Sequence, residues 1–317
     1  MKFSVILPTY NNERTLDECL KSIFAQKFSK KDFEVLLIDG YSEDKTLFIA
    51  KKYPVKIFMN KERNEEAARI LGIKKAKGDV LCFIDADNVL DDLNWLGKMN
   101  NAFKDKTISF ADTLFYSYRE SDKVGVRYQA LIGGDDPFVM YMGYYSRYSW
   151  LTKDWTGYPY ESEDKKDYLK IKLKNKELVP AMGSNGFLVR KKIAKQFVKD
   201  KFLHSDFVYD LVNNGHNSFA KVKTGIVHNQ PQFFPNKIRR VQRRGKKSVN
   251  IKYNYGIKTR DIVLTSLRIA LIIPVLYDTI SGFARKPDSA WFFHPVACLG
   301  ELFIYGFYSL LYKVKRK

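Results

Sequence analysis

Residues 80–87 read VLCFIDAD, a short apolar run that ends in two carboxylates separated by one alanine. The run predicts a buried strand with Asp85 at its carboxyl end. Alternation along extended backbone puts Asp85 and Asp87 on one side of the chain and Ala86 on the other. Two carboxylates on one side repel each other unless a cation lies near them, and their hard oxygen ligands suit Mg²⁺ or Mn²⁺. Taken alone, the triplet fits a helix N-cap or a surface turn equally well.

The sequence around this stretch repeats one pattern, in which short apolar runs alternate with stretches of helical apolar spacing. The predicted strands cover residues 3–7, 33–38, 55–59 and 80–84, and the predicted helices cover 13–26, 43–52, 64–77 and 93–103. This alternation predicts an α/β fold with a mainly parallel sheet covered on both faces. Because such sheets bind ligands at the carboxyl ends of their strands, Asn11, Asp39 and Asp85 are candidate binding residues.

The middle of the chain has a weaker pattern. Residues 111–180 are less regular, and the stretch 137–161 is rich in aromatic side chains without clear periodicity, which indicates a long, partly mobile loop region. A hairpin is predicted over 177–191, a helix near 205–213, and a strand that ends at His228.

The last part of the chain is basic and then apolar. Residues 236–260 are rich in Lys and Arg, and the apolar stretches 262–284 and 290–312 follow. Each is about 20 residues long, enough to span a bilayer. Both are interrupted, by Arg268, Pro274, Asp278, His294 and Glu301. Two spanning helices, a hairpin in the membrane interface and a soluble helical pair all fit. We predict one domain over 1–235 and a basic linker with two apolar, membrane-associated helices over 236–317.

Composition limits the partners. The 317 residues carry a formal net charge of +20, which predicts an anionic partner such as nucleotide phosphates, nucleic acid or an acidic lipid surface. The hydrophobic fraction of 45% supports a sizeable core and argues against wholesale disorder. The three cysteines form no CxxC pair, so neither a disulfide framework nor a zinc site is indicated, and a reducing compartment fits best.

Four motifs in order resemble the family 2 glycosyltransferases of the GT-A fold. They are SVILPTYN at 4–11, IDGYSEDKT at 38–46, EAARILGI at 66–73 with AKGD at 76–79, and FIDAD at 83–87. The resemblance covers roughly residues 1–230. Two positions depart from the family pattern: Ile70 stands where the family often has Asn, and Tyr41 is inserted where Gly and Ser often adjoin.

The resemblance implies which residues bind the donor, a nucleotide diphospho-sugar. The expected nucleotide-sugar site consists of Pro8, Thr9, Asn11, Asp39, Asp44, Arg69, Asp85 and Ala86. Asp39 would accept a hydrogen bond from the base, while Arg69 would contact ribose or phosphate unless it is a solvated helix residue. Asp85 would contact ribose or metal-bound water. Asp87 would ligate a divalent metal, Mg²⁺ or Mn²⁺, that bridges the diphosphate and stabilises the leaving group.

The acceptor half of the site is implied by fewer residues. Inverting members often place a catalytic base in a Glu-Asp pair at the start of a helix that ends in Gly. The comparable stretch here, HSDFVYDLVNNG at 204–215, has no such pair, and Asp206 is the candidate base. A first-turn carboxylate favoured by the helix dipole is the alternative. His228 is a weaker candidate as a third metal ligand. The Gln-x-x-Arg-Trp motif of processive relatives is absent around 239–244, which argues against long-polymer synthesis.

The expected activity is inverting transfer of a sugar to a lipid-linked or cell-surface glycan acceptor. The basic segments 239–260 and 313–317 flank the apolar stretches, which predicts an anionic membrane surface as partner and the cytoplasmic face of the membrane as location, membrane-associated or two-pass. Nucleic acid is not expected as a partner. A nucleotidyltransferase is one alternative, although PTYNN at 8–12 is not a Gly-rich phosphate loop. A non-catalytic basic module that binds membrane or nucleic acid is the other.

Overall fold

A computed structural model describes residues 1–134, 136–198, 202–229, 233–245 and 253–314. The chain packs as two compact units. Unit 1 contains Met1–Ser117 and Pro159–Asn229, and unit 2 contains Tyr118–Tyr158 and Gln230–Lys317. The predicted division into 1–235 and 236–317 did not anticipate that residues 118–158 belong with the C-terminal segment.

Unit 1 is built on one ten-stranded sheet. Its strands are β1 (Phe3–Thr9), β2 (Phe33–Asp39), β3 (Lys56–Met59), β4 (Val80–Phe83), β5 (Asn88–Val89), β6 (Phe110–Ser117), β7 (Tyr160–Asp164), β8 (Tyr168–Leu173), β9 (Phe187–Arg190) and β10 (Ser218–His228). Their order is β3-β2-β1-β4-β9-β6-β10-β8-β7, and β5 pairs with β10. The neighbours from β3 to β4 are parallel, as are β6 and β10, while β9, β8, β7 and β5 pair antiparallel. The predicted α/β class is confirmed, with a parallel core inside a mixed sheet.

The helices follow the strands in the chain. They are α1 (Leu16–Phe24), α2 (Thr46–Ala50), α3 (Glu65–Lys75), α4 (Trp95–Lys104), α5 (Val124–Ile132), α6 (Pro137–Tyr141), α7 (Lys191–Phe197), α8 (His204–Asn213), α9 (Phe233–Gly245), α10 (Thr259–Ala270), α11 (Ile273–Arg285) and α12 (His294–Val314), with a 3₁₀ helix over Ser289–Phe293 before α12.

Helix α3 shows how local sequence positions the site. Asn64 caps its N-terminus by accepting a hydrogen bond from the Ala67 backbone N–H, and two glutamates follow in the first turn, where the helix dipole favours negative charge. Gly72 lies against β1, since a Cβ there would stand 2.4 Å from Ile6 Cγ2. This close approach fixes α3, and Arg69 on it, beside the parallel core.

Residues 111–180 hold more regular structure than the sequence indicated, although the aromatic stretch 137–161, predicted as a loop, contains only α6 and the start of β7. β6, α5, α6 and the β7–β8 hairpin occupy this range. α5 was missed because it is apolar on nearly all sides: it buries Tyr128 and Leu131 in a core that also contains Trp291. The predicted hairpin over 177–191 contributes only β9 as a strand, and β9 pairs with β4 and β6.

In unit 2, one described helical segment, Ser289–Leu311, is long and apolar enough to cross a bilayer. Helices α10 and α11 are long and apolar enough to cross a bilayer only when taken together, as one span bent by 82°. The acidic residue that interrupts the second apolar stretch is held inside the unit. Glu301 is fully buried, and Lys237 Nζ lies 3.3 Å from its Oε1 and 2.9 Å from Asp136 Oδ2.

Candidate active site

The loops that follow β1 and β2 are tied together by one buried carboxylate. Asp39 ends β2 with no exposed surface, and its oxygens accept hydrogen bonds from Thr9 Oγ1 at 3.1 Å, the Ser42 backbone N–H at 2.8 Å and Ser42 Oγ at 2.6 Å. A carboxylate has about four acceptor positions, so these three bonds use most of them. The structure therefore gives Asp39 a role in holding the two loops.

Asn11 and Asp44 complete this connection. Asn11 has φ of 53°, a left-handed conformation that asparagine tolerates better than most residues, and its Oδ1 accepts from the Glu43 backbone N–H at 2.9 Å. Asp44 accepts from the backbone N–H groups of Glu13 at 3.0 Å and Thr46 at 2.9 Å. Although desolvation opposes the charge, these bonds lower the pKa of Asp44. Both predicted nucleotide residues thus shape the loops from within.

Asp85 is paired with a buried arginine. Arg69 is only 1% exposed, and its Nη2 lies 2.8 Å from Asp85 Oδ1 and 2.6 Å from Glu65 Oε1. Its guanidinium also lies over the ring of Phe83 at 5.9 Å. Desolvation, reinforced by the carboxylates of Glu65 and Asp87, outweighs the attraction of Arg69 and raises the pKa of Asp85 to about 6. The alternative that Arg69 is a solvated helix residue is excluded by its burial.

Asp87 stands beside His228. The short strand β5 pairs with the end of β10, which places Asn88 opposite His228 and brings His228 Nε2 to 3.6 Å from Asp87 Oδ2. The Asp87 side chain is 26% exposed, whereas Ala86 is buried in the core. Residues 86–87 form a turn after β4, closed by a hydrogen bond of 2.9 Å from the Asn88 backbone N–H to the Asp85 carbonyl oxygen, so the predicted strand alternation does not extend to this triplet. Among the described residues, no group of three or more His, Cys, Asp and Glu side chains is close enough to hold a metal ion.

A chain of amide side chains supports the two aspartates and was missed in the sequence. Asn88 Oδ1 accepts from the Asp85 backbone N–H at 2.9 Å, and Asn88 Nδ2 donates to Asn185 Oδ1 at 3.0 Å. Asn185 in turn donates to Tyr116 Oη at 3.3 Å, and the Tyr116 ring stacks on His228. In the sequence, Asn185 lies in the glycine-containing stretch GSNG, which indicates a turn. Its φ of 51° in the structure is typical of such a turn. Nothing local pointed to Tyr116.

Pro8 and Asp206 are the remaining predicted site residues. Pro8 is a half-buried residue of β1, opposite Ile38 of β2. Asp206 is in the first turn of α8 and half-buried. The loop that carries Asn185 runs against the start of this helix, since a Cβ on Gly183 would lie 2.6 Å from the His204 carbonyl oxygen.

Comparison with known proteins agrees with this architecture. The sequence model for glycosyl transferase family 2 matches residues 4–196. The poly(ribitol-phosphate) beta-N-acetylglucosaminyltransferase TarS of Staphylococcus aureus is 38% identical over 97 residues, which is 29% of this chain and 17% of that protein. A Methanococcus voltae dolichyl N-acetyl-alpha-D-glucosaminyl phosphate 3-beta-D-2,3-diacetamido-2,3-dideoxy-beta-D-glucuronosyltransferase is 37% identical over 90 residues, 26% of this chain and 28% of that protein. The matched stretches thus span less than a third of either relative.

Solved structures show the same fold. The mannosyltransferase PcManGT from Pyrobaculum calidifontis, solved with GDP-Man and Mn²⁺, superposes with a TM-score of 0.54 at 13% identity, covering 98% of this chain and 87% of that one. The glucosyl-3-phosphoglycerate synthase of Mycobacterium tuberculosis with Mn²⁺, UDP-Glc and phosphoglyceric acid gives 0.51 at 15% identity, covering 79% and 81%. Since the family model covers more than half of the sequence and the fold agrees, the chain belongs to glycosyl transferase family 2.

Proposed function

We propose that this chain transfers a sugar from a nucleotide diphospho-sugar to an acceptor, with inversion at the transferred carbon. The observation that carries the proposal is the grouping of Asp85, Asp87 and His228 at the carboxyl edge of the parallel core, where α/β sheets bind their ligands. The family supports the reaction class.

The residues present fit a divalent cation. Asp87 is partly exposed, its Oδ2 is 3.6 Å from His228 Nε2, and the contact of its Oδ1 with Asn88 Nδ2 is a long 3.4 Å. Mg²⁺ is commonly held by one or two carboxylates together with substrate phosphates, so a cluster of three protein ligands is not required. Asp87 would hold Mg²⁺ or Mn²⁺ with His228 as a second ligand, and Asp85 would act from beside them. When bound, the cation stabilises negative charge on the departing nucleoside diphosphate.

We assign the nucleoside pocket to the loops after β1 and β2, which Asp39 holds together. Pro8, Thr9, Asn11 and Asp44 would line it, and Asp39, which has no exposed surface, would support the base side of the pocket by holding the two loops. The resemblance also includes Arg69 and Ala86 among the nucleotide residues. Because both are buried, we propose that they act indirectly, Arg69 by orienting Asp85 and Ala86 by packing the turn onto the core.

The acceptor side requires proton removal only if the nucleophile is a hydroxyl. We assign Asp206 as the base for that proton, because its first-turn carboxylate is only half-buried. A lipid phosphate acceptor is already anionic near neutral pH and would not need this base. This difference makes the effect of Asp206→Asn a test of acceptor chemistry.

We further propose that residues 236–317 attach the protein to the cytoplasmic face of a membrane, with residues 1–235 carrying the chemistry. Segment Ser289–Leu311 has the length and composition for membrane contact. The net charge of +20 favours an anionic surface. Membrane attachment suits a lipid-linked acceptor or a cell-envelope glycan.

The test is release of nucleoside diphosphate from a panel of nucleotide sugars, with Mn²⁺ or Mg²⁺ and a membrane lipid extract as the acceptor source. Asp87→Asn should abolish metal-dependent release, while Asp91→Asn, an exposed carboxylate four residues further on, should leave it unchanged. Equal activity of the two variants would overturn the assignment of Asp87. Release of pyrophosphate instead of nucleoside diphosphate would favour a nucleotidyltransferase.

A further inference from the structure

Unit 2 exposes an unusual amount of apolar surface. Sixteen of the 23 large apolar side chains that are exposed in the described residues lie between Ile262 and Leu310. On α11, Ile273 is 75% and Ile280 is 69% exposed, Leu271 between α10 and α11 is 66% exposed, and Phe303 on α12 is 72% exposed. Soluble monomers rarely expose a contiguous apolar patch of this kind without a binding partner.

The geometry of α10 and α11 favours a position along a membrane surface over a crossing. With 12 and 13 residues, each helix is only about 18–20 Å long at 1.5 Å per residue, shorter than the roughly 30 Å hydrocarbon core. The 82° bend between them prevents a straight continuation. Each helix packs one side inward, through Thr265 and Ile269 on α10, and leaves apolar residues on the other side. Helices of this type lie in the interface plane.

The charges around the apolar face of α10 and α11 favour a bilayer, rather than a second copy of the chain, as its partner. Exposed cations mark the start of α10, at Lys258 and Arg260, and the end of α11, at Arg285. A second copy docked through the same face would bring like charges together. An anionic leaflet would complement them.

A cavity of about 270 Å³ lies beside the apolar face, with walls from α6, α10, α11 and residues 151–152. Two arginines line it. Arg268 is held in place because its Nη2 donates to Asp278 Oδ2 at 2.7 Å and its guanidinium lies 4.8 Å from the centre of the Tyr141 ring. Arg285 donates through Nη1 to the Leu151 carbonyl oxygen.

The chemistry of the cavity matches a phosphate group. Arg268 makes a further side-chain hydrogen bond with Tyr141. A guanidinium has five N–H donors in a fork that suits phosphate oxygens, which is more than these contacts use. Asp278 offsets only one of the two positive charges. Ser281 adds a hydroxyl to the lining, and Tyr277, 69% exposed, has the amphipathic ring typical of the headgroup level of membranes.

We propose that this cavity binds the phosphate headgroup of an anionic phospholipid while the apolar face of α10 and α11 lies in the leaflet. The inference rests on the membrane association proposed above and adds a specific lipid site to it. Arg268, fixed by Asp278, and Arg285 are the phosphate-binding residues. The lipid tails continue from the cavity onto the exposed apolar side chains.

The experiment is co-flotation of the full chain with vesicles of phosphatidylcholine alone and of phosphatidylcholine mixed with phosphatidylglycerol. Arg285→Gln should lower the preference for phosphatidylglycerol about tenfold, as expected for loss of a charge-assisted hydrogen bond. Ser281→Trp, which fills the cavity without changing charge, should do the same. Lys123→Gln removes an equal charge from an exposed position of unit 2 outside the cavity lining and should change the preference roughly twofold or less, because exposed charges are screened.

The outcomes separate the two proposals. If the wild type binds no vesicles, the proposed membrane association is wrong and the lipid site with it. If it binds anionic vesicles but Lys123→Gln weakens binding as much as Arg285→Gln does, the attraction is diffuse and the lipid site is wrong while membrane association stands. Strong competition by inorganic phosphate would indicate a site for free phosphate, which also overturns the proposal. Near-UV circular dichroism checks that each variant is folded. If Arg285→Gln does not fold, the vesicle binding of Ser281→Trp tests the lipid site in its place.

Discussion

Replacing Arg69 by methionine tests whether this side chain acts by holding Asp85. The variant removes a guanidinium that is 1% exposed and lies 2.8 Å from Asp85 and 2.6 Å from Glu65. Removing one partner of a buried ion pair costs about 3–5 kcal/mol. The Asp85 and Glu65 side chains are 26% and 41% exposed, so water can solvate the carboxylates that lose Arg69. We therefore expect the free energy of unfolding to fall by about 3 kcal/mol, the lower end of that range. For a domain of roughly 150–250 residues this lowers Tm by about 6–12 °C.

Calorimetric unfolding measures this loss, and two further variants show its cause. Lys74→Met removes a positive charge from an exposed position on the same helix and should change stability by less than about 0.5 kcal/mol. Adding Glu65→Gln to Arg69→Met should recover part of the loss, because it removes one of the two carboxylates left facing each other. No recovery would mean that packing of Arg69 between Phe83 and Phe202, and not its charge, stabilises the site.

Nucleotide affinity separates an indirect role of Arg69 from a direct contact. With Mn²⁺ and the nucleoside diphosphate that the donor panel identifies, Arg69→Met should weaken binding about tenfold, a coupling within the usual 0.5–3 kcal/mol for residues in contact. If Arg69 acts only through Asp85, the double variant Arg69→Met/Asp85→Asn should bind no more weakly than Asp85→Asn alone. Additive losses in isothermal titration calorimetry would refute the indirect role.

Three other expectations concern unit 1. Lys221→Met breaks a fully buried ion pair with Asp112, so urea unfolding should show that the free energy of unfolding falls by about 3–5 kcal/mol. The double variant Lys221→Met/Asp112→Leu should largely restore it, and a loss below about 1 kcal/mol in the single variant would contradict the burial of the pair. Burial raises the pKa of Cys82, so the folded protein should leave this thiol unmodified by Ellman's reagent until denaturant is added. Hydrogen bonds from Thr107 and the nearby Lys170 lower the pKa of Asp105 to about 2. Wild type should therefore exceed Asp105→Asn in stability above about pH 4, and the difference should shrink as the pH falls through about 4 and vanish below about pH 2.

Local periodicity was sufficient to predict the parallel core. Strands β1, β2 and β4 lie where short apolar runs end in polar residues, and the expected ligand edge follows from that pattern alone. The same reasoning failed for α5, which is buried on nearly every side and therefore lacks the polar stripe that marks an amphipathic helix.

Site residues were predictable to the extent that their environment is local. Asp39 was assigned from a strand end and Thr9 from the family resemblance, and the structure brings them within hydrogen-bond distance. Their contact with a nucleotide remains a prediction. His228 was only a weak candidate because its approach to Asp87 depends on the pairing of β5 with β10, strands far apart in sequence. Burial of Arg69 depends on Phe202, which packs on it from a distant segment, and no spacing rule reveals such a contact.

The position of β9 between β4 and β6 has a consequence for synthesis of the chain. Until residues 187–190 leave the ribosome, β4 has no partner on that side, and its backbone donors and acceptors stay open. β10, which pairs with β5, β6 and β8, follows later still. The sheet therefore closes through contacts of high sequence separation, which are slow to form. During translation the nascent N-terminal half carries an unprotected apolar strand edge, the type of surface that chaperones bind.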